Sequence, residues 1–172
     1  NSLENPLYSK RAHLYGLNLA KEHIIEQQSV IVVEGYLDMI TPFMRGVKNV
    51  VASLGTALTL EQIKLLKRYA AEVVVVFDAD KAGQSAALRS IDLLLENSLE
   101  ASIVTLPAGC DPDSLVRREG VKAFTDCLER KKGFFEYKFG LLQKSHDSNS
   151  IGGKTKIAEG MLATFDKIYS EI

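Results

Sequence analysis

No apolar run in the 172 residues approaches the ~20 needed to cross a bilayer, and no signal peptide opens the chain. Cysteine is scarce. Cys110 and Cys127 lack metal-ligand spacing and nothing suggests secretion, so a reducing cytosol is the expected compartment. An excess of one charge is also missing: 21 basic residues face 22 acidic ones, a net charge of -1. That excludes a protein that coats nucleic acid by bulk electrostatics, and any such contact must come from local basic patches. There is no internal repeat or low-complexity segment, and the three histidines, His13, His23 and His146, stand isolated as surface or packing residues. The first residue is Asn1 rather than Met, which suggests a piece of a larger protein. What remains is an ordinary domain composition, 46% hydrophobic and 25% charged, long enough for one solid core.

The chain is organised around residues 72–83, EVVVVFDADKAG. Val73 to Phe77 form an unbroken apolar, mostly β-branched run, the pattern of a strand buried on both faces in a parallel sheet. The run ends in Asp78 and Asp80, at the carboxyl end where open α/β sheets bind ligands. Residues 30–38, VIVVEGYLD, repeat the arrangement with Glu34 at the strand end and Asp38 one helical turn on. If the two strands are parallel neighbours, Glu34, Asp78 and Asp80 meet at one edge. Three carboxylates there repel one another unless a cation lies between them. Mg²⁺ takes oxygen ligands and commonly only one or two protein carboxylates. The pattern therefore reads as a divalent-metal site for phosphate chemistry. The alternative is that the aspartates solvate the strand end and cap the next helix.

Helical periodicity over 12–27 (Leu14, Leu17, Ala20, Ile24) precedes a first strand at Val30–Val33 and a short helix from about Leu37 to Met44. A second strand covers Asn49 to Ala52; Thr59 then caps a helix, with Gln62 completing a capping box. Strand three, a helix over 82–96 and a fourth strand at Ala101–Leu106 follow. Strands alternating with helices imply a parallel sheet with right-handed crossovers. Beyond Pro107 the reading is helical: 113–119, 121–131 and 133–144, then a polar break and a last helix over 154–171. The GGKT at 152–155 lacks the earlier glycine and the strand of a phosphate-binding P-loop, and starts that last helix. The expected organisation is a flank with one helix (1–27), an α/β core (28–110) and a truncated helical extension (111–172).

EGYLD at 34–38 and DAD at 78–80, 44 residues apart in strand context, resemble the Toprim domain. That domain carries a glutamate after its first strand and DxD after its third. A phosphatase of the haloacid-dehalogenase kind fits less well, since its DxD follows the first strand and is trailed by Thr or Val, not by Lys81. Five stretches in order, YSKRAHLYGL, VVEGYLD, ASLGTALT, FDADKAGQSAA and LPAGCDPDSLVRREG, resemble the bacterial DnaG-type primase family over residues 7–140. The implied fold is α/β: a Toprim-type sandwich, a central parallel four-stranded sheet flanked by helices, plus a C-terminal helical extension.

By that resemblance the chain is the catalytic part of a DNA-directed RNA polymerase that makes short RNA primers on single-stranded DNA from ribonucleoside triphosphates. The chemistry implied is two-metal nucleotidyl transfer with Mg²⁺ or Mn²⁺, cations about 3.5–4 Å apart. Asp78 and Asp80 are the main ligands, and Glu34 ligates or acts as a base. Asp38, Asp111 and Asp113 complete an acidic rim; the alternative for the last two is a turn around Pro112 with Asp113 capping a helix. Lys10 and Lys81 are expected to neutralise nucleotide or template phosphates. Gly35 and Gly83 either let a phosphate approach or merely serve turns, and Gly55-Thr56 offers backbone N–H groups. Zinc belongs to a domain absent from this chain, as does the region that engages the replicative helicase. The expected setting is the bacterial cytoplasm at the replication fork, with no membrane, and the piece alone is expected to be weakly active or inactive. The alternatives are a Toprim nuclease or topoisomerase that cleaves phosphodiesters, and a non-catalytic Toprim module that binds DNA or partners.

Overall fold

The computed structural model describes residues 9–53, 57–77 and 90–169, the side chains of Phe77 and of 167–169 excepted. Five strands form one sheet in the order β2-β1-β3-β4-β5. They are β1 (Ser29–Val33), β2 (Val50–Ala52), β3 (Glu72–Phe77), β4 (Glu100–Thr105) and β5 (Lys132–Gly133). The first four are mutually parallel and β5 is antiparallel to β4. The helices are α1 (Leu17–Gln27), α2 (Tyr36–Met44), α3 (Leu60–Leu66), α4 (residues 90–96), α5 (Pro112–Glu119), α6 (Val121–Glu129), α7 (Phe134–Ser145) and α8 (Ile151–Tyr169).

Alternation along the strands sends side chains into two cores, as a period of two requires. Val30, Val32, Val73, Val75 and Ile103 face one side, where Ile24 of α1, Ile63 and Leu66 of α3 and Leu94 of α4 cover them. Ile31, Val33, Val74, Val76 and Val104 face the other, under Met39 of α2, Leu115 of α5 and Phe124 of α6. Burial on both faces explains why β3 is an unbroken apolar run rather than an alternating one. The expected parallel four-stranded sheet flanked by helices is present. The fifth strand is an addition: two residues, too short for any pattern to announce.

Three boundaries differ from the sequence reading, each for a local reason. α1 begins at Leu17, not residue 12, because Gly16 takes φ +80° and Tyr15 pairs antiparallel with Ala52 at the end of β2. Asp111, not Asp113, caps α5; its carboxylate accepts the Ser114 N–H at 2.6 Å, with Pro112 as the first helical residue. α8 starts at Ile151, so Gly152 and Gly153 lie inside it. A Cβ at Gly153 would meet the Asp147 carbonyl oxygen at 1.8 Å, so the glycine serves a close approach of backbone and does not break the helix. The capping box at Thr59 and Gln62 forms as expected.

β5 and the turn before it are held by a charge at the amino end of β3. Lys131 Nζ donates to both oxygens of Glu72 at 2.6 Å. Ser29 of β1 and Ser102 of β4 donate to the same carboxylate from the flanking strands at 3.1 and 2.8 Å. Burial alone would raise the Glu72 pKa, but the bonds from Lys131, Ser102 and Ser29 together with the Lys131 charge outweigh it and hold the pKa below the ordinary value. A depressed folded pKa contributes stability that is complete above the unfolded value and fades as pH falls through the folded one. Acid unfolding should therefore separate wild type from Glu72→Gln. Wild type loses stability as pH falls below the ordinary glutamate range by a step that the variant lacks. Because the Lys131 side chain is 41% exposed, Lys131→Met should cost only about 1 kcal/mol at neutral pH, read as a denaturant midpoint.

Candidate functional site

In the β1–β3 pairing Ser29 lies beside Glu72 and Val32 beside Val75. β1 therefore ends at Val33, immediately before Glu34, on the same edge of the sheet where β3 ends at Phe77. In sequence Asp78 is the next residue. Asp78, Asp80, Lys81, Gly83, Gly55 and Thr56 lie outside the described residues, so the described half of this edge consists of Glu34, Gly35, Asp38, Asp111, Asp113 and Lys10.

Glu34 is half-buried at the turn from β1 into α2, and Gly35 is the N-cap of that helix. Asp38 occupies the third helical position and reaches back, accepting the Gly35 N–H at 3.0 Å through Oδ2. Its other oxygen, Oδ1, accepts the Asp113 N–H at 3.3 Å. One carboxylate thus ties the loop after β1 to the first turn of α5. Gly35 has an extended backbone, so its freedom of φ is not the reason for a glycine here. The reason is space: a Cβ would sit 2.7 Å from Asp38 Oδ2.

The structure gathers Asp38, Asp111 and Asp113 at the junction of α2 and α5, each with a protein donor. The Asp113 carboxylate accepts from the Thr41 hydroxyl and, at 2.7 Å, from Arg117 Nε one helical turn on. Burial pushes the Asp38 pKa up; the two N–H bonds oppose it, and the charges of Asp111 and Asp113 add to it. For Asp113, burial also raises the pKa, but the bonds from Thr41 and Arg117 and the Arg117 charge prevail and leave it lowered. Among the described residues no three His, Cys, Asp or Glu side chains form a cluster arranged to hold a metal ion. Thr41 and Arg117 were not singled out from the sequence. Arg117 was legible as an i,i+4 partner of Asp113, whereas Thr41 meets Asp113 only through the packing of α2 on α5.

Lys10 lies in a 3₁₀ turn, Lys10–Ala12, that has no buried residue of its own. Gln62 Nε2 donates to the Lys10 and His13 carbonyls at 3.0 and 2.8 Å, and Thr59 Oγ1 to the Arg11 carbonyl at 2.6 Å. Thr59 and Gln62 belong to the first turn of α3, which follows the carboxyl end of β2, so the basic turn is strapped to the same edge as Glu34.

A parallel α/β sandwich with acids collected at the carboxyl edge defines the class, and residues 31–116 match the model of the Toprim-like family. The chain belongs to that family. Within it, the chain is similar along its whole length to the DNA primase of Clostridium acetobutylicum, 40% identical over an alignment of 175 positions that covers 100% of this chain and 29% of the relative. A solved DNA primase domain from Pseudomonas aeruginosa is 37% identical with a TM-score of 0.88, covering 98% of this chain and 54% of that one. A DnaG primase catalytic domain solved bound to single-stranded DNA is 32% identical with a TM-score of 0.86, covering 98% of this chain and 55% of that one. The chain thus spans under a third of the primase from C. acetobutylicum and about half of the solved domains. No described helix is long and apolar enough to cross a membrane.

The Asp38 tie gives a direct test of how this edge is built. Gly35→Ala should displace the Asp38 carboxylate and cost about 1 kcal/mol, the usual loss of a helix cap. Asp38→Ala should cost at least as much, and the double variant little more than the larger single loss, measured by chemical denaturation. Simple addition of the two losses would mean that Gly35 and Asp38 act separately.

Proposed function

We propose that this chain is the metal-binding catalytic part of a DNA primase, which joins ribonucleotides on a single-stranded DNA template. The observation that carries the reading is the parallel pairing of β1 with β3, which ends both strands on one edge, Glu34 following one and Asp78 following the other. The similarity to DNA primases along the whole chain supports it, and so does the relative solved with single-stranded DNA.

Glu34, Asp38, Asp111 and Asp113 offer only carboxylate oxygens, and Asp78 and Asp80 add the same donor type. This donor set fits a hard divalent cation, Mg²⁺ or Mn²⁺. Bound cations at such a site supply the charge neutralisation that phosphoryl transfer needs. Asp78, Asp80 and Glu34 are the residues proposed to hold them, Glu34 as a ligand or as the base toward the attacking hydroxyl. Asp38 and Asp113 set the distance between the β1 and β4 loops, so that the edge keeps its shape as charge gathers on it. Lys10, Lys81 and the backbone of Gly35, Gly55, Thr56 and Gly83 are proposed to meet nucleotide or template phosphates. Replicative helicase, as a partner, belongs to other parts of the longer protein, and the proposed setting is the bacterial cytoplasm.

Carboxylates held close together destabilise one another when empty, so cation should raise the melting temperature of this chain. Asp78→Asn should remove that gain and raise the melting temperature without cation. Equal responses of wild type and variant to Mn²⁺ would reject the metal site. In the full-length protein the same substitution should stop dinucleotide synthesis; continued synthesis at the wild-type rate would reject the polymerase role.

A further inference from the structure

A cavity of about 330 Å³ lies at the amino edge of the sheet, opposite the edge that carries Glu34. Ser29, the first residue of β1, and Asn49, just before β2, both line it. So do Lys48 from the turn after α2, Thr125 from α6 and Lys131 from the turn before β5. The rest of the lining is largely apolar, with Ile31, Val47, Val74 and Leu128 contributed by the core beneath α2 and α6. α2 packs on β2 and α6 on β4, the strands on either side of the β1–β3 pair, so the cavity falls between the two helices. Its size is at the lower end of the ~300–1,000 Å³ common for small-molecule sites.

Three polar groups of the lining are left with bonding capacity. Asn49 is 6% exposed, and its Nδ2 donates to the Ser29 carbonyl at 3.0 Å, which fixes the amide orientation. No donor among the described residues meets Asn49 Oδ1. No side-chain oxygen among them is sealed off without a partner, so Oδ1 opens onto the cavity that Asn49 lines. An amide oxygen in so confined a place is costly to leave without a donor. Lys48 is half-buried and has no carboxylate partner among the described residues; its ammonium stands 4.2 Å from the centre of the Phe43 ring. Lys131 gives N–H groups to both oxygens of Glu72, which leaves one of the three on its ammonium.

We propose that this cavity is a binding site for a small organic phosphate of nucleoside monophosphate type, separate from the acidic edge. Lys48 and the remaining N–H of Lys131 take the phosphate by charge-assisted hydrogen bonds. Asn49 Oδ1 accepts an N–H or O–H of the nucleoside, and the apolar lining receives its ring. Two ammonium groups on one cavity favour a phosphate over a singly charged carboxylate, and the Asn49 acceptor favours a ligand that carries donors over a bare anion. None of the residues assigned to the polymerase reading takes part, so the two stand or fall apart.

The test uses the full-length protein with EDTA present, so that no divalent cation holds nucleotide at the acidic edge. AMP, adenosine and inorganic phosphate are titrated separately and heat is measured. AMP should bind at least about tenfold more tightly than either adenosine or inorganic phosphate, since each lacks one set of contacts. Lys48→Met should weaken AMP about tenfold, and Lys48→Arg should recover part of the loss. Thr125→Phe, which fills the cavity from α6 and leaves both lysines in place, should abolish binding. Inorganic phosphate binding as tightly as AMP would overturn recognition of the nucleoside, and adenosine binding as tightly would overturn the role of the lysines. Wild-type AMP affinity in Lys48→Met or in Thr125→Phe would overturn the site itself, as would no heat from AMP with wild type. Should one of these variants fail to fold, the other decides.

Discussion

The parallel pairing of β1 with β3 is the constraint on which the rest of the molecule depends. Paired in parallel with Val32 beside Val75, the two strands end on the same edge of the sheet, β1 at Val33 and β3 at Phe77. Glu34 and Asp78 are 44 positions apart in the chain, yet each is the first residue past its strand. The pairing is in turn secured by burial on both faces: Val73 to Val76 are no more than 3% exposed. Since one position of slip would move every side chain of a strand to the opposite face, two different cores together fix the register. The energetics of valine packing thus determine where β1 and β3 end, and with β1 where Glu34 stands.

Two smaller devices shape the same edge from either side. On one, Asp38 accepts N–H groups from both Gly35 and Asp113 and joins the loop after β1 to the start of α5. On the other, Gln62 and Thr59 fasten the Lys10 turn to the start of α3. Acidic residues are thereby gathered around α2 and α5, and basic ones are brought in along α3. Both devices use a residue in the first turn of a helix whose side chain first satisfies its own cap and then reaches a distant segment. In a parallel sandwich the helix starts lie at the carboxyl edge, so capping residues there are well placed to organise a site.

The sheet was legible in the sequence because β1, β3 and β4 announce themselves by β-branched runs and are separated by helical periods. The helix cap at Thr59 and Gln62 was legible for the same reason: it depends on residues three apart. What could not be read depends on distance in the chain or on very short elements. β5 is two residues, paired with β4 beside the contact of Lys131 with Glu72. The start of α1 is set by a bridge from Tyr15 to Ala52, which periodicity over 12–27 cannot reveal. Gly152-Gly153 resembled a break because glycine usually ends helices, whereas here it accommodates the turn at Asp147. At the site, the sequence drew attention to Asp38, Asp111 and Asp113 as acids. It did not reveal that Thr41 and Arg117 would occupy the Asp113 carboxylate, nor that Gln62 would be turned toward Lys10.

The central claim is spatial: carboxylates that follow β1 and β3 converge on a shared divalent cation. Diffraction from a crystal soaked in Mn²⁺, recorded for its anomalous signal, examines that claim most directly. The expected result is a peak at the carboxyl edge within bonding distance of the Asp78 and Asp80 carboxylates, with Glu34 facing it. No peak there at saturating Mn²⁺, or a Glu34 carboxylate on the far side of the sheet from the two aspartates, would contradict the account.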